Sequence, residues 1–86
     1  MMNWRTEAQQ VVSSYNGKYE LQNCYCKDQN YHYIVKMNFK PYITNKSMVS
    51  PGPFGTAIAK RVGNILHITG MTFGLQFILN QFAKYS

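Results

Sequence analysis

Two stretches of this chain alternate apolar and polar positions with a period of two. In the first, Tyr19, Leu21, Asn23 and Tyr25 occupy every second place; in the second, Tyr31, Tyr33, Val35, Met37 and Phe39 do. Asn23 is the one polar residue in either series. Such alternation predicts two half-buried strands, Tyr19–Tyr25 and Tyr31–Phe39. Joining them through a three-residue loop, Asp28-Gln29-Asn30, closes a hairpin with a left-handed residue at Asn30. That register sets Tyr25 opposite Tyr33, Leu21 opposite Met37 and Tyr19 opposite Phe39. The other face then carries Gln22, Lys36, Asn38 and Lys40, with His32 near the turn.

Helical periods bracket the strands. Trp4, Ala8, Val11, Val12 and Tyr15 recur at helical spacing, with Thr6, Gln9, Gln10 and Ser13 on the other side. The pattern predicts an amphipathic helix capped by Asn3 and stopped at Asn16-Gly17. At the far end, Phe73–Lys84 predicts a second helix whose stripe of Leu75, Ile78, Leu79 and Phe82 faces a core. Phe73 and Phe77 lie nearly opposite that stripe, either sandwiched in the core or forming a contact surface for a partner or a second copy. Between the helices, Thr56–Val62 and Ile65–Met71 predict a second hairpin around Gly63-Asn64. Its register sets Lys60 opposite His67 and Ala59 opposite Ile68, with small alanines that let a helix come close. A helix over Thr56–Val62 is the competing reading, because Ala57, Ala59 and Lys60 suit one. Lys40–Gly55, broken by three prolines and two glycines, predicts a long irregular connection.

These elements define an α+β fold, α-β-β-β-β-α. A four-stranded antiparallel sheet built from two hairpins is covered on one face by the N- and C-terminal helices. Eighty-six residues make a single domain, 1–86. The apolar stretch Ile65–Phe82 is interrupted by His67, Gly70, Gly74, Gln76, Asn80 and Gln81, which argues against a membrane span. Met1–Gln10 is polar and shows no secretory leader. Cys24 and Cys26, one residue apart, suit a local disulfide poorly, so reduced thiols and a cytoplasmic setting are expected.

Charge narrows the function. Nine Lys and Arg face three acidic residues, Glu7, Glu20 and Asp28, for a net charge of +6. Such a field favours polyanions or acidic protein surfaces. Lys36, Lys40, Tyr42, Lys46, Lys60 and Arg61 group in the middle of the chain. Lysines contact phosphates as point charges, arginine in pairs of bonds, and an exposed tyrosine can stack on a base. These six are the candidate RNA-binding residues, and Phe73 and Phe77 the candidate protein-partner residues. Catalysis is poorly supplied: the three carboxylates are scattered, and no sequence feature brings His32 and His67 together as an acid and base pair for RNA cleavage. Pro51-Gly52-Pro53-Phe54-Gly55 lacks the lysine and helix start of a phosphate-binding loop. Cys24 and Cys26 with His32 offer three soft ligands but no fourth, so no metal or other cofactor is assigned.

The order of helix, antiparallel sheet and helix is similar to that of the double-stranded RNA-binding domain. That family has three strands and a lysine cluster opening its last helix, and Met71–Gly74 contains no lysine. Eight Asn, seven Lys against two Arg, seven Tyr and six Ile suggest an AT-rich genome. In that character the chain resembles the small basic accessory proteins of T-even-like phages, among them the RNA-binding inhibitor of a type III toxin–antitoxin ribonuclease. The resemblance implies a protein that blocks an endoribonuclease while touching the RNA bound to it. The expectation is therefore a binding protein and not an enzyme, which binds RNA and inhibits a protein partner. A protein-interaction module or homodimer without nucleic acid is the alternative, and a small ribonuclease using His32 and His67 a further one.

Overall fold

A computed structural model describes residues 3–28, 30–40, 47–50 and 57–84. The elements are α1 (Trp4–Ser13), β1 (Tyr19–Lys27), β2 (Asn30–Met37), β3 (Ser47–Ser50), β4 (Ala57–Val62), β5 (Ile65–Thr69) and α2 (Thr72–Lys84). The fold is α+β, with all neighbouring strands antiparallel in the order β1-β2-β5-β4-β3. Among the described residues the sheet has five strands and not four. The extra one, β3, lies within the segment expected to be irregular. It pairs Met48 with Ala59 and Val49 with Ile58 along the edge of β4.

Local chemistry explains both ends of α1. The Asn3 side chain accepts from the Arg5 amide at 2.8 Å and caps the start. Asn16 and Gly17 take positive φ values of 55° and 83°, which turn the chain into β1. Asn38 then ties this turn to the end of β2, its amide donating to the Lys18 carbonyl and its side chain to that of Gly17. Trp4 stacks on Tyr31, with ring centroids 4.3 Å apart, and meets the edge of Tyr33. The aromatic contact seats the first turn of α1 on β2.

Both helices lie on one face of the sheet. Ala8 and Val12 of α1 join Leu75, Ile78, Leu79 and Phe82 of α2 over Tyr33, Val35, Met37, Ala57, Ala59, Leu66 and Ile68. All four residues of the expected α2 stripe are fully buried. The hydroxyl of Tyr19 donates to the Leu79 carbonyl at 2.6 Å, a buried bond between β1 and α2. The Tyr15 hydroxyl donates to the Asn80 side chain and so ties the turn after α1 to α2.

The second hairpin follows its expected register, Ala59 against Ile68 and Lys60 against His67, with Gly63 at φ 62° in the turn. Thr56 lies outside the described residues. Ala57–Val62 is a strand, in which buried Ala57 and Ala59 alternate with exposed Ile58, Lys60 and Val62. Tertiary packing thus outweighs the helical preference of the alanines.

The first hairpin departs from expectation. Lys27 pairs with Asn30, so the loop has two residues, and Asp28 takes the left-handed conformation at φ 52°. Asn30 is the first residue of β2. Tyr25 lies opposite His32, Cys24 opposite Tyr33, Leu21 opposite Val35 and Tyr19 opposite Met37. The register also shifts between Leu21 and Asn23, where Gln22 is an extra residue in β1. Such a bulge reverses the alternation beyond it. Tyr19 and Leu21 therefore face the helices, whereas Tyr25 faces away from Tyr33. The bulge also spares Asn23 from the core: it pairs with outward Ile34, and its side chain accepts from the Cys24 amide at 2.9 Å.

Candidate nucleic-acid interface

The face of the sheet away from the helices is covered by no element among the described residues. Directly paired residues of antiparallel strands share a face, so register assembles this surface row by row. One row runs across all five strands: Tyr25, His32, Thr69, Ile58 and Val49. Beside it lie Asn23, Ile34, His67 and Lys60, and then Glu20, Lys36, Ile65 and Val62. Lys27, two residues beyond Tyr25, shares the face.

This surface is basic at intervals and apolar between them. Val49, Ile58 and Val62 are 58%, 54% and 60% exposed. Lys36 lies 4.0 Å from Glu20 in an exposed ion pair, which leaves its charge available to a stronger anion. Lys60 is exposed opposite His67. The Tyr25 and His32 rings stack with centroids 4.9 Å apart and planes within 6°. Thr69 Oγ1 lies 3.3 Å from His32 Nδ1 and braces that ring from the other side.

The candidate RNA residues separate into three groups. Lys36 and Lys60 stand together on the uncovered face. Arg61 pairs with Leu66, so it belongs to the helix side, where it lines a hollow with Phe39, Lys40, Gly63 and Asn64. Lys40 follows the end of β2 at Met37 and therefore does not continue the Lys36 face as a strand residue. Tyr42 and Lys46 lie outside the described residues.

Phe73 and Phe77 are on α2, opposite its buried stripe, and are 47% and 38% exposed. They lie on the helix side of the molecule, away from the uncovered sheet face. His32 and His67 come together in a way that sequence alone does not reveal. His32 pairs with Thr69 and His67 with Ile34, which makes the histidines diagonal neighbours on one face. Cys24, Cys26 and His32 do not converge as three ligands. The bulge turns both cysteines to the helix side, Cys26 opposite Tyr31, while His32 faces outward. Among the described residues, no three His, Cys, Asp or Glu side chains are grouped to hold a metal ion.

Tyr25 and Lys27 are surface residues that strict alternation misses, because both lie beyond the bulge in β1. The signal was Asn23, a polar residue at what unbroken alternation makes a core position. Among the described residues, no helix is long and apolar enough to cross a membrane. No family model, curated protein or solved structure matches the chain.

Proposed function

We propose that this is a small basic cytoplasmic protein that binds RNA on its uncovered sheet face and inhibits a protein partner, such as a host or toxin endoribonuclease. One observation carries the reading. Both helices pack on one side, leaving a five-stranded surface whose paired rows carry, among the described residues, Lys27, Lys36 and Lys60 with the carboxylate of Glu20. Lysines spaced over a sheet suit the repeating phosphates of a nucleic acid, whose condensed counterions they release. His32 and His67 add donors to that surface.

Titration of the purified protein with labelled RNA at two salt concentrations tests this. Affinity is expected to fall steeply with salt. Lys36→Gln and Lys60→Gln are each expected to lower the slope of log affinity against log salt by about 0.7 if the bound RNA is single-stranded. Absence of binding at low salt, alone or with a co-purified partner, sinks the RNA reading. RNA recovered from the titration also separates binding from catalysis: metal-independent cleavage that requires both His32 and His67 favours the ribonuclease.

The exposure of Phe73 and Phe77 favours a second reading, a protein-interaction module or homodimer. In the leading reading the same two rings hold the inhibited partner, while RNA occupies the other side. A stable complex indifferent to nuclease treatment, from a protein that binds no RNA, selects the second reading.

A further inference from the structure

We infer that the Tyr25–His32 stack is a base-binding subsite, and that it makes the sheet face select single-stranded over double-stranded RNA. The inference rests on the RNA reading and adds to it the form of RNA recognised.

The bulge at Gln22 brings Tyr25 to the surface. Without it, continued alternation from Tyr19 and Leu21 places Tyr25 among the core residues. On the surface it remains 39% exposed, parallel to His32 at 4.9 Å, while Thr69 Oγ1 braces His32 at 3.3 Å. Two rings already aligned form a platform that a third flat ring can extend at low entropic cost.

The surroundings decide which RNA fits. The row containing the stack continues through Thr69, Ile58 and Val49 without a formal charge. Spanning five strands, it forms a lane about 19 Å long at the usual strand spacing. Lysines stand outside it: Lys27 at the turn end, Lys60 in the next row and Lys36 in the row beyond. Bases along the lane and phosphates toward the lysines satisfy both chemistries.

A duplex does not. A-form RNA keeps its bases stacked inside and presents phosphates, sugars and 2′-hydroxyls. Pressed against Ile34, Ile58, Val62 and Ile65, those groups lose water without gaining hydrogen-bond partners. An unpaired strand instead offers base faces to the apolar and aromatic side chains, while its phosphates remain at the edges.

The test uses the full chain, a labelled oligouridylate and a labelled RNA hairpin of similar charge whose duplex is closed by a tight, internally stacked tetraloop, followed by fluorescence anisotropy at low salt. The wild type is expected to bind the single strand more tightly. Tyr25→Ala is expected to weaken single-strand binding by about tenfold or more and to leave hairpin binding unchanged. Tyr25→Phe, which keeps the ring, is expected to retain wild-type affinity. Circular dichroism of each variant checks the fold. Equal or tighter hairpin binding, or an unchanged single-strand affinity in folded Tyr25→Ala, overturns the subsite and leaves RNA binding standing. Failure of the wild type to bind either RNA overturns both readings.

Discussion

Gly74 of α2 rests directly against Ala57 of β4: a Cβ placed on Gly74 comes within 2.5 Å of the Ala57 Cβ. No side-chain rotation relieves that contact, because both atoms are tied to the main chain. On an exposed helix, glycine to alanine adds about 0.5–1 kcal/mol of stability. Here the overlap pushes α2 from the sheet, and Gly74→Ala is expected to destabilise by about 1–2 kcal/mol net. The same change in an Ala57→Gly background should cost much less. Urea denaturation of the four proteins measures this coupling, and equal costs in both backgrounds refute the contact.

Two buried tyrosines should respond oppositely to loss of their hydroxyls. Tyr19 donates to the Leu79 carbonyl, and Tyr19→Phe is expected to cost about 1 kcal/mol or more. The Tyr33 hydroxyl is buried without a hydrogen-bond partner. The Thr72 side chain lies close enough to lower its pKa as a hydrogen bond would, but no bond of proper geometry joins it to the Tyr33 hydroxyl. Tyr33→Phe removes an unsatisfied polar atom while keeping the ring, so stability is expected to hold or rise by about 1 kcal/mol. Thermal and urea unfolding of the two variants give the comparison; a large loss in Tyr33→Phe shows that its hydroxyl has a partner.

Burial also makes these residues sensitive to alkali. Desolvation pushes Tyr33 up to about 12 and holds Tyr19 higher still, with the Ala83 amide acting in the opposite direction. An unfolded tyrosine loses its proton near pH 10. Above that pH the folded chain retains protons that the unfolded chain has released, so stability falls as pH rises. The contribution is intact below about pH 10 and declines through about pH 12 and beyond. Melting temperatures across this range, followed with tyrosinate absorbance, are expected to fall from about pH 10 in both proteins, and less steeply in Tyr33→Phe, which keeps only Tyr19 of the two.

The helices and second hairpin were legible because their local signals agree with their packing. The α2 stripe coincides with its buried face, and Gly63 supplies the turn between β4 and β5. The first hairpin was not, since both Asp28 and Asn30 tolerate a left-handed conformation and periodicity cannot count an extra residue. The four-residue β3 gave no readable alternation and takes its place by pairing along β4. The same limits govern the candidate site. Lys36 and Lys60 follow simple alternation, whereas Tyr25 reaches the surface through the bulge.

Gln22 can therefore be removed with a defined consequence. Its deletion joins Leu21 to Asn23, already paired with Val35 and Ile34, and turns the bulge into a regular ladder. The remaining pairs of β1 and β2 keep their faces. Stability is expected to change by less than about 1 kcal/mol, far below the effect of a one-residue slip that buries Asn23. Urea denaturation measures the change, while an amide NMR spectrum altered only around β1 checks the register. Unfolding shows instead that the twist imposed by the bulge is essential to the sheet.

Phe73 and Phe77 separate partner binding from folding. They are one helical turn apart on the side of α2 away from Leu75, Ile78, Leu79 and Phe82. Both side chains are only half buried and lie off the main core, so Phe73→Ser and Phe77→Ser are expected to cost about 1 kcal/mol each and to leave the chain folded. Each truncation removes a large apolar contact from any protein seated on the ridge, and association is expected to weaken by about 1 kcal/mol or more. Sedimentation measures self-association, and nuclease-treated pull-downs measure partner binding. RNA affinity should remain unchanged, because the sheet face lies on the other side of the molecule. Loss of folding in either variant returns its phenylalanine to the core; loss of RNA affinity in a folded variant shows that the two surfaces are not independent.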